Sequence, residues 1–252
     1  MKILGAPRVA HRVGRFVASA VRRRGQLQHL SQRPAVSLSL GVRLFRQAEP
    51  LLFEPVAFFK PMTLHRFDVR DLPAMPWKNG GGVTREIVCQ PPGAGMGDFD
   101  WRVSIAHIAS DGPFSAFPGI DRVITLLSGG GVHLLGDDGQ LNHRLDTPLT
   151  PFAFAGEAAI HARLLAGDCH DFNVMTRRAV CSASLQVLRS VCDWPVASRG
   201  LLMAVQGSWT LEGQSAQTLV AQQGLWWSDA AMAWRLCPQS PDAALLALKI
   251  SP

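Results

Sequence analysis

The side chains with the most chemistry to offer fall in four short segments. The first is Pro76-Trp77-Lys78-Asn79-Gly80-Gly81-Gly82-Val83-Thr84-Arg85-Glu86-Ile87. Three successive glycines are costly in backbone entropy, so they mark a positive φ or a close backbone approach. N–H groups exposed in such a turn can hold an anion or a carbonyl. Lys78 adds a point positive charge, and Asn79 adds both donor and acceptor. A plain glycine-rich hairpin beside a packed Trp reads the same way. The spaced Gly-Lys-Ser/Thr ending of a P-loop is missing. Beyond the glycines the run alternates, with Thr84 and Glu86 on one face and Arg85, Ile87 and Cys89 on the other.

The second segment, Trp101-Arg102-Val103-Ser104-Ile105-Ala106-His107-Ile108, also alternates. Trp101, Val103 and Ile105 share one face, and Arg102, Ser104 and Ala106 share the other. An Arg and a Ser side by side suit a lumen that grips a carboxylate, or else a face turned to water. His107 falls on the apolar face and reads as structural. The third segment, Asp111 to Arg122, is a turn-rich loop with two aromatics feeding a strand. Arg122 stands at the strand entrance, where a barrel mouth could meet a ligand. Phe114 and Phe117 read as packing residues. In the fourth segment, Gly167 to Arg178, Asp171, Asn173 and Met175 alternate against Phe172 and Val174. Asp171 and Asn173 could orient a ligand, brace a pocket arginine, or end a wet strand.

No catalytic constellation accompanies these residues. The GxSxG, Cys-His-Asn and kinase patterns are missing. A strand-borne metal site commonly uses two histidines one residue apart, but Gly131-Val132-His133-Leu134-Leu135 has one, read as a core histidine. His143, His161 and His170 are scattered singly, so the expectation is no metal and no cofactor. The five cysteines include no CxxC pair, which fits a reducing, cytoplasmic setting. A metal-independent isomerase or hydrolase of a small acid, with Glu86 or Asp171 as base, stays open.

The elements that must position these groups are strands. Short runs rich in Val, Ile, Leu, Trp and Phe recur between Gly, Pro and Asp turns, from the Thr63–Val69 run to Leu245–Ile250. Many close-set strands with turn signals predict an all-β sandwich or barrel with little helix. Gly136-Asp137-Asp138-Gly139 and Glu212-Gly213 read as hairpin turns. Glu157–Leu164 and Asp229–Leu236 share four of eight residues, and Gly131–Gly136 and Gly207–Gly213 each read glycine, strand, glycine. That repeat predicts two β-barrel lobes of similar topology, near 62–180 and 181–252.

Charge separates the chain in another way. Residues 1–61 hold 11 of the 25 Lys and Arg but only two acids, Glu49 and Glu54, which is a net +9. Residues 62–252 keep 14 basic and 17 acidic residues, a net of −3. The basic pI therefore belongs to the leader, and no nucleic-acid partner is expected for 62–252. The leader reads as a disordered extension, a mis-assigned start upstream of Met62, or a targeting segment. No apolar run is long enough for a transmembrane helix, and a homodimer is left open.

Taken in order, the four segments resemble the HutD/Ves family. The match runs through Trp77–Ile87, Trp101–Ser104, Asp111–Ser115 with Phe117-Pro118-Gly119, and Asp171–Met175 with Arg177. It spans 62 to the C-terminus. The resemblance implies a cupin-like fold of two barrels, a bicupin. It implies non-catalytic binding of a small polar or acidic metabolite tied to histidine utilisation, of the formylglutamate or urocanate class, with a regulatory role. The expected ligand-binding set is Trp77, Lys78, Asn79, Gly80, Glu86, Arg102, Ser104, Ser115, Arg122, Asp171 and Asn173.

Overall fold

The structure, a computed structural model, describes residues 63–252. The basic leader 1–61, with the expectations placed on it, lies outside the described residues. Nineteen strands and one 3₁₀ turn (Val69–Asp71) make up the regular structure. In chain order the strands are β1 (Leu64–Asp68), β2 (Ala74–Pro76), β3 (Gly82–Gln90), β4 (Trp101–Ile108), β5 (Gly112–Pro113), β6 (Ile120–Gly129) and β7 (Val132–Gly136). Next come β8 (Asn142–Leu145), β9 (Phe152–Ala155), β10 (Ile160–Leu164), β11 (Cys169–Arg177), β12 (Ser182–Leu188) and β13 (Cys192–Ala197). The last six are β14 (Arg199–Gln206), β15 (Ser208–Glu212), β16 (Gln217–Val220), β17 (Gln223–Trp227), β18 (Met232–Pro238) and β19 (Ala244–Ser251).

They form four antiparallel sheets, with orders β2-β3-β4-β11-β6-β9, β5-β10-β7-β8, β1-β17-β14-β19-β12 and β13-β18-β15-β16. Removing β1, β2 and β3 leaves two sets of eight. In the first, β4-β11-β6-β9 faces β5-β10-β7-β8. In the second, β12-β19-β14-β17 faces β13-β18-β15-β16. The orders correspond strand for strand, so each lobe is the same eight-stranded, cupin-type jelly roll. The sequence repeat maps onto this symmetry, because β10 corresponds to β18 and β7 to β15. The sheets stay open and are not closed into barrels by hydrogen bonds.

The three extra strands join the lobes. β2 and β3 extend the first lobe beyond β4. β1 crosses to the second lobe and pairs with β17 from Leu64↔Trp227 to Asp68↔Gln223. A first lobe of 62–180 therefore loses its opening strand to the second. His65 supports the crossing by stacking on Trp226 at 3.9 Å.

Alternation places the cores. The outer faces of β4 and β11 present Trp101, Val103, Phe172 and Val174 to Leu201, Met203, Leu246, Leu248 and Ile250 of the second lobe. Burying each such side chain contributes roughly 1.5–3 kcal/mol. This back-to-back core holds the six- and five-stranded sheets together. Inside the first lobe, Ile108, Ile124, Leu126, Leu134 and Leu145 fill one end. Inside the second, Trp194, Trp209, Trp227 and Trp234 pack with Leu202, Leu211, Leu225 and Leu245.

A bulge in β3 changes the expected facing. Glu86 pairs with Ser104 but Val88 with Val103, leaving Ile87 extra. Ile87 and Val88 both reach the inter-lobe core. Cys89 is thereby turned to the opposite face, beside Phe99, Ile120 and Met175. β4 and β11 keep their alternation, with Arg102 and Ser104, and Asp171 and Asn173, on the cavity face.

Candidate functional site

The inner faces of β3, β4, β6 and β11 meet the Trp77–Gly82 turn and the 113–117 loop around a cavity of about 610 Å³. Of the expected set, Trp77, Lys78, Asn79, Arg102, Ser104, Ser115, Arg122, Asp171 and Asn173 line it. Glu86 and Gly80 do not. Glu86, on β3 opposite Ser104, is bonded to a lining residue, its Oε2 accepting from Arg102 Nε at 2.7 Å. Gly80 shapes the turn.

The glycines of that turn have separate duties. Gly80 adopts φ +70, which only glycine takes cheaply, and its N–H donates to Trp77 O at 3.0 Å. Gly81 N donates to Asn79 Oδ1 at 3.0 Å, an Asx turn that fixes the Asn79 side chain. Gly82 lies under the Trp77 ring, and a Cβ there would stand 2.3 Å from His107 O and 3.2 Å from the indole. Trp77 is thus held against the β3 backbone, and its Nε1 donates to Thr84 Oγ1 at 2.8 Å.

The floor of the cavity is polar and buried. Arg102 is 7% exposed and Arg122 is 8% exposed. Arg102 balances its charge on Glu86 and also reaches Ser104 Oγ at 3.3 Å. Arg122 has no such direct carboxylate. Its Nη2 donates to Asn173 Oδ1 at 3.0 Å, and Asn173 Nδ2 donates in turn to Asp171 Oδ1. Phe154, Phe114 and Phe117 surround the Arg122 guanidinium, with ring centroids 5.0, 5.3 and 5.9 Å away. The two loop aromatics, Phe114 and Phe117, therefore pack against a charge, and Arg122, third residue of β6, is buried in the cavity wall.

Burial governs the titration of this floor. Desolvation pulls the Arg122 pKa down to about 10, opposed by Asp171 and assisted by Arg102. Desolvation pushes the Asp171 carboxyl up to about 7, against the pull of Arg122 and of the Asn173 hydrogen bond. Asp171 Oδ2 and Arg122 Nε are both buried and have no hydrogen-bond partner. A buried donor and a buried acceptor without protein partners in one cavity wall are costly.

The mouth combines Lys78 and Asn79 with an apolar edge. Met75 on the edge strand β2 and Met96 on the 91–100 loop are 44% and 49% exposed, and both line the cavity. Neither had a signal in the sequence, since Met75 lies in a three-residue strand and Met96 among glycines. The arrangement can hold a small molecule with an anionic head on the floor and an apolar body at the rim.

Other candidate residues lie elsewhere. His107 is half-buried outside the cavity, with Nε2 2.7 Å from Asp168 Oδ2 and its ring stacked on His170 at 4.6 Å. His133 is half-buried and pairs with Asn142 Oδ1 at 2.6 Å, so it is neither core nor lining. Arg178 forms a surface network with Asp121 and Glu157. Among the described residues, no three His, Cys, Asp or Glu side chains converge as metal ligands, and no helix is long and apolar enough to cross a membrane.

Comparison with known proteins places this architecture. The family model for HutD matches residues 69–246. Protein Ves of Cronobacter sakazakii is 43% identical over 171 residues, covering 68% of this chain and 90% of its own. Protein Ves of Citrobacter koseri is 41% identical over 186 residues, covering 73% and 93%. A conserved Pseudomonas aeruginosa PAO1 protein of unknown function superposes with a TM-score of 0.69 at 34% identity, covering 75% of this chain and all of its own. HutD from Pseudomonas fluorescens SBW25 superposes with a TM-score of 0.65 at 31% identity, covering 75% and 98%. Oxalate decarboxylase from Lactobacillus farciminis shares the fold alone, with a TM-score of 0.52 at 9% identity. The chain belongs to the HutD/Ves family.

Proposed function

We propose that the first lobe binds a small carboxylate, without turnover, as a cytoplasmic sensor of an acidic metabolite. The observation that carries this reading is the pair of buried arginines in one cavity floor, of which only Arg102 has a carboxylate directly bonded to it. A buried guanidinium without a direct counter-charge is costly, and an anionic ligand would relieve that cost. The apolar rim of Trp77, Met75 and Met96 would cover the rest of a ligand. The HutD name ties relatives to histidine utilisation, and the Pseudomonas fluorescens HutD structure was obtained in a formate condition. Formylglutamate and urocanate are therefore the first acids to try, with a regulatory role in that pathway.

Thermal-shift titration of the full chain with formylglutamate, urocanate, glutarate and benzoate is the direct test. Ligand at a hundred times its Kd should stabilise the fold by about 2.7 kcal/mol. If none of these acids moves the midpoint at millimolar concentration, the reading fails.

One observation favours a second reading. An Asp171 carboxyl near 7 with a free Oδ2 is suited to moving a proton from or to a carbon acid. In that case urocanate or formylglutamate should be consumed, and Asp171→Asn should abolish consumption while leaving binding intact.

A further inference from the structure

We propose that the Arg122–Asp171 pair takes up a ligand carboxylate together with one proton, with Asp171 as the proton's seat. The inference rests on the carboxylate reading above and deepens it.

Two buried atoms of the cavity floor are orphans. Arg122 Nε–H is a buried donor without an acceptor, and Asp171 Oδ2 is a buried atom without a partner. Both residues line the cavity, and Asn173 ties them together. Both atoms are closed to solvent, so an anion in the cavity acts on the pair through its charge. An anion beside the Arg122 guanidinium repels an ionised Asp171 in the same dry wall. A protonated Asp171 removes that repulsion, and the proton stays on Asp171.

Charge bookkeeping leads to the same state. Arg102 is balanced by Glu86. With Asp171 ionised, Arg122 is balanced too, and an incoming carboxylate would leave the floor at −1. With Asp171 neutral, Arg122 is uncompensated, and the carboxylate brings the floor to zero. The remaining charged group on the cavity is Lys78 at the mouth. The opposite wall, Pro113 to Ser115, presents no titratable side chain. Cys169, two residues along β11, is pushed up to about 11 and stays a thiol. Asp171 is left as the group that must change its protonation. Its burial already holds it near 7, so the proton is available at neutral pH.

The test is calorimetric, on the full chain, with benzoate as the probe, since its carboxyl does not titrate near neutrality. Binding should take up close to one proton at about pH 8, read from runs in two buffers of different ionisation enthalpy. The wild-type Kd should weaken about tenfold for each pH unit above about 7. Asp171→Asn is neutral at every pH, so Kd should stay flat between about pH 6 and pH 9, with no proton uptake. Benzoate binding with no proton uptake and a flat wild-type Kd would overturn the inference and leave the carboxylate reading standing. No binding of either benzoate or glutarate at about pH 6, where Asp171 is neutral, would remove the reading and the inference together. The wild-type calorimetry decides even if Asp171→Asn does not fold.

Discussion

Glu86→Gln should make the protein less stable and its grip on an acid tighter. Glu86 Oε2 accepts from Arg102 Nε at 2.7 Å, with side-chain exposures of 35% for Glu86 and 8% for Arg102. Gln keeps the acceptor but drops the charge. A hydrogen bond to a charged group contributes about 1.5–3 kcal/mol net. The exposure of Glu86 screens part of that, so a loss of about 1–2 kcal/mol is expected. For a domain of this size the melting midpoint should fall by roughly 3–6 °C. The ligand sees the opposite effect. A carboxylate near Arg102 would sit within about 7 Å of Glu86, and at an effective dielectric of about 20 their repulsion is about 2 kcal/mol. Removing it should lower Kd by about five- to thirtyfold. Differential scanning fluorimetry without ligand and calorimetry with benzoate read the two effects separately. If Glu86→Gln weakens binding, Glu86 contacts the ligand itself. If neither quantity moves, the pair does not set the charge of the floor.

Other expectations concern stability. Gly82→Ala should cost about 2–3 kcal/mol in chemical denaturation, since its Cβ would stand 2.3 Å from His107 O with Trp77 above it. The raised Asp171 carboxyl gives a contribution that is fully present below the unfolded value of 3.8 and is lost as pH rises towards about 7. Asp171→Asn should therefore gain on the wild type, by on the order of 2–4 kcal/mol, between about pH 4 and pH 8 in ligand-free denaturation. Trp227→Phe strands Ala197 O, which Nε1 bonds at 2.9 Å, whereas Trp209→Phe removes a donor with no partner. Trp227→Phe should be the worse of the two by about 1 kcal/mol.

Much of this fold was legible in residue types, and the parts that were not share a cause. Alternation put Arg102 with Ser104, and Asp171 with Asn173, on one face of each strand, and the structure turns those faces inward because β4 and β11 are central strands. The unread strands are β2, β5, β8, β9, β13 and β16, which are the edges of three of the four sheets. An edge strand is short and half-wet, so it needs no apolar run, and β13 even carries Pro195. The bulge at Ile87 was equally silent, and it reverses the facing of Val88 and Cys89 beyond it. The crossing of β1 is a non-local pairing that local pattern does not encode. The cavity residues with a polar signature were found, whereas Met75 and Met96, which shape its mouth, look like any surface methionine.

The duplicated topology lets the two interiors be compared position by position, the first holding the candidate site and the second filled. On β11 the inward positions are Asp171 and Asn173, while on the corresponding β19 they are Leu245 and Ala247. On β6 the cavity receives Arg122, and on β14 the core receives Leu202 and Ala204. Four tryptophans then occupy the second interior, at the cost of three indole N–H groups without partners. A filled jelly roll is a stiff slab, and its five-stranded sheet backs the strands that carry Arg102, Arg122 and Asp171. Buried charges at the floor of an open cavity need such a backing, because their desolvation is tolerable only while their partners stay fixed. Loosening the second lobe with Trp209→Ala should therefore weaken carboxylate binding in the first, although no atom of Trp209 lines the cavity.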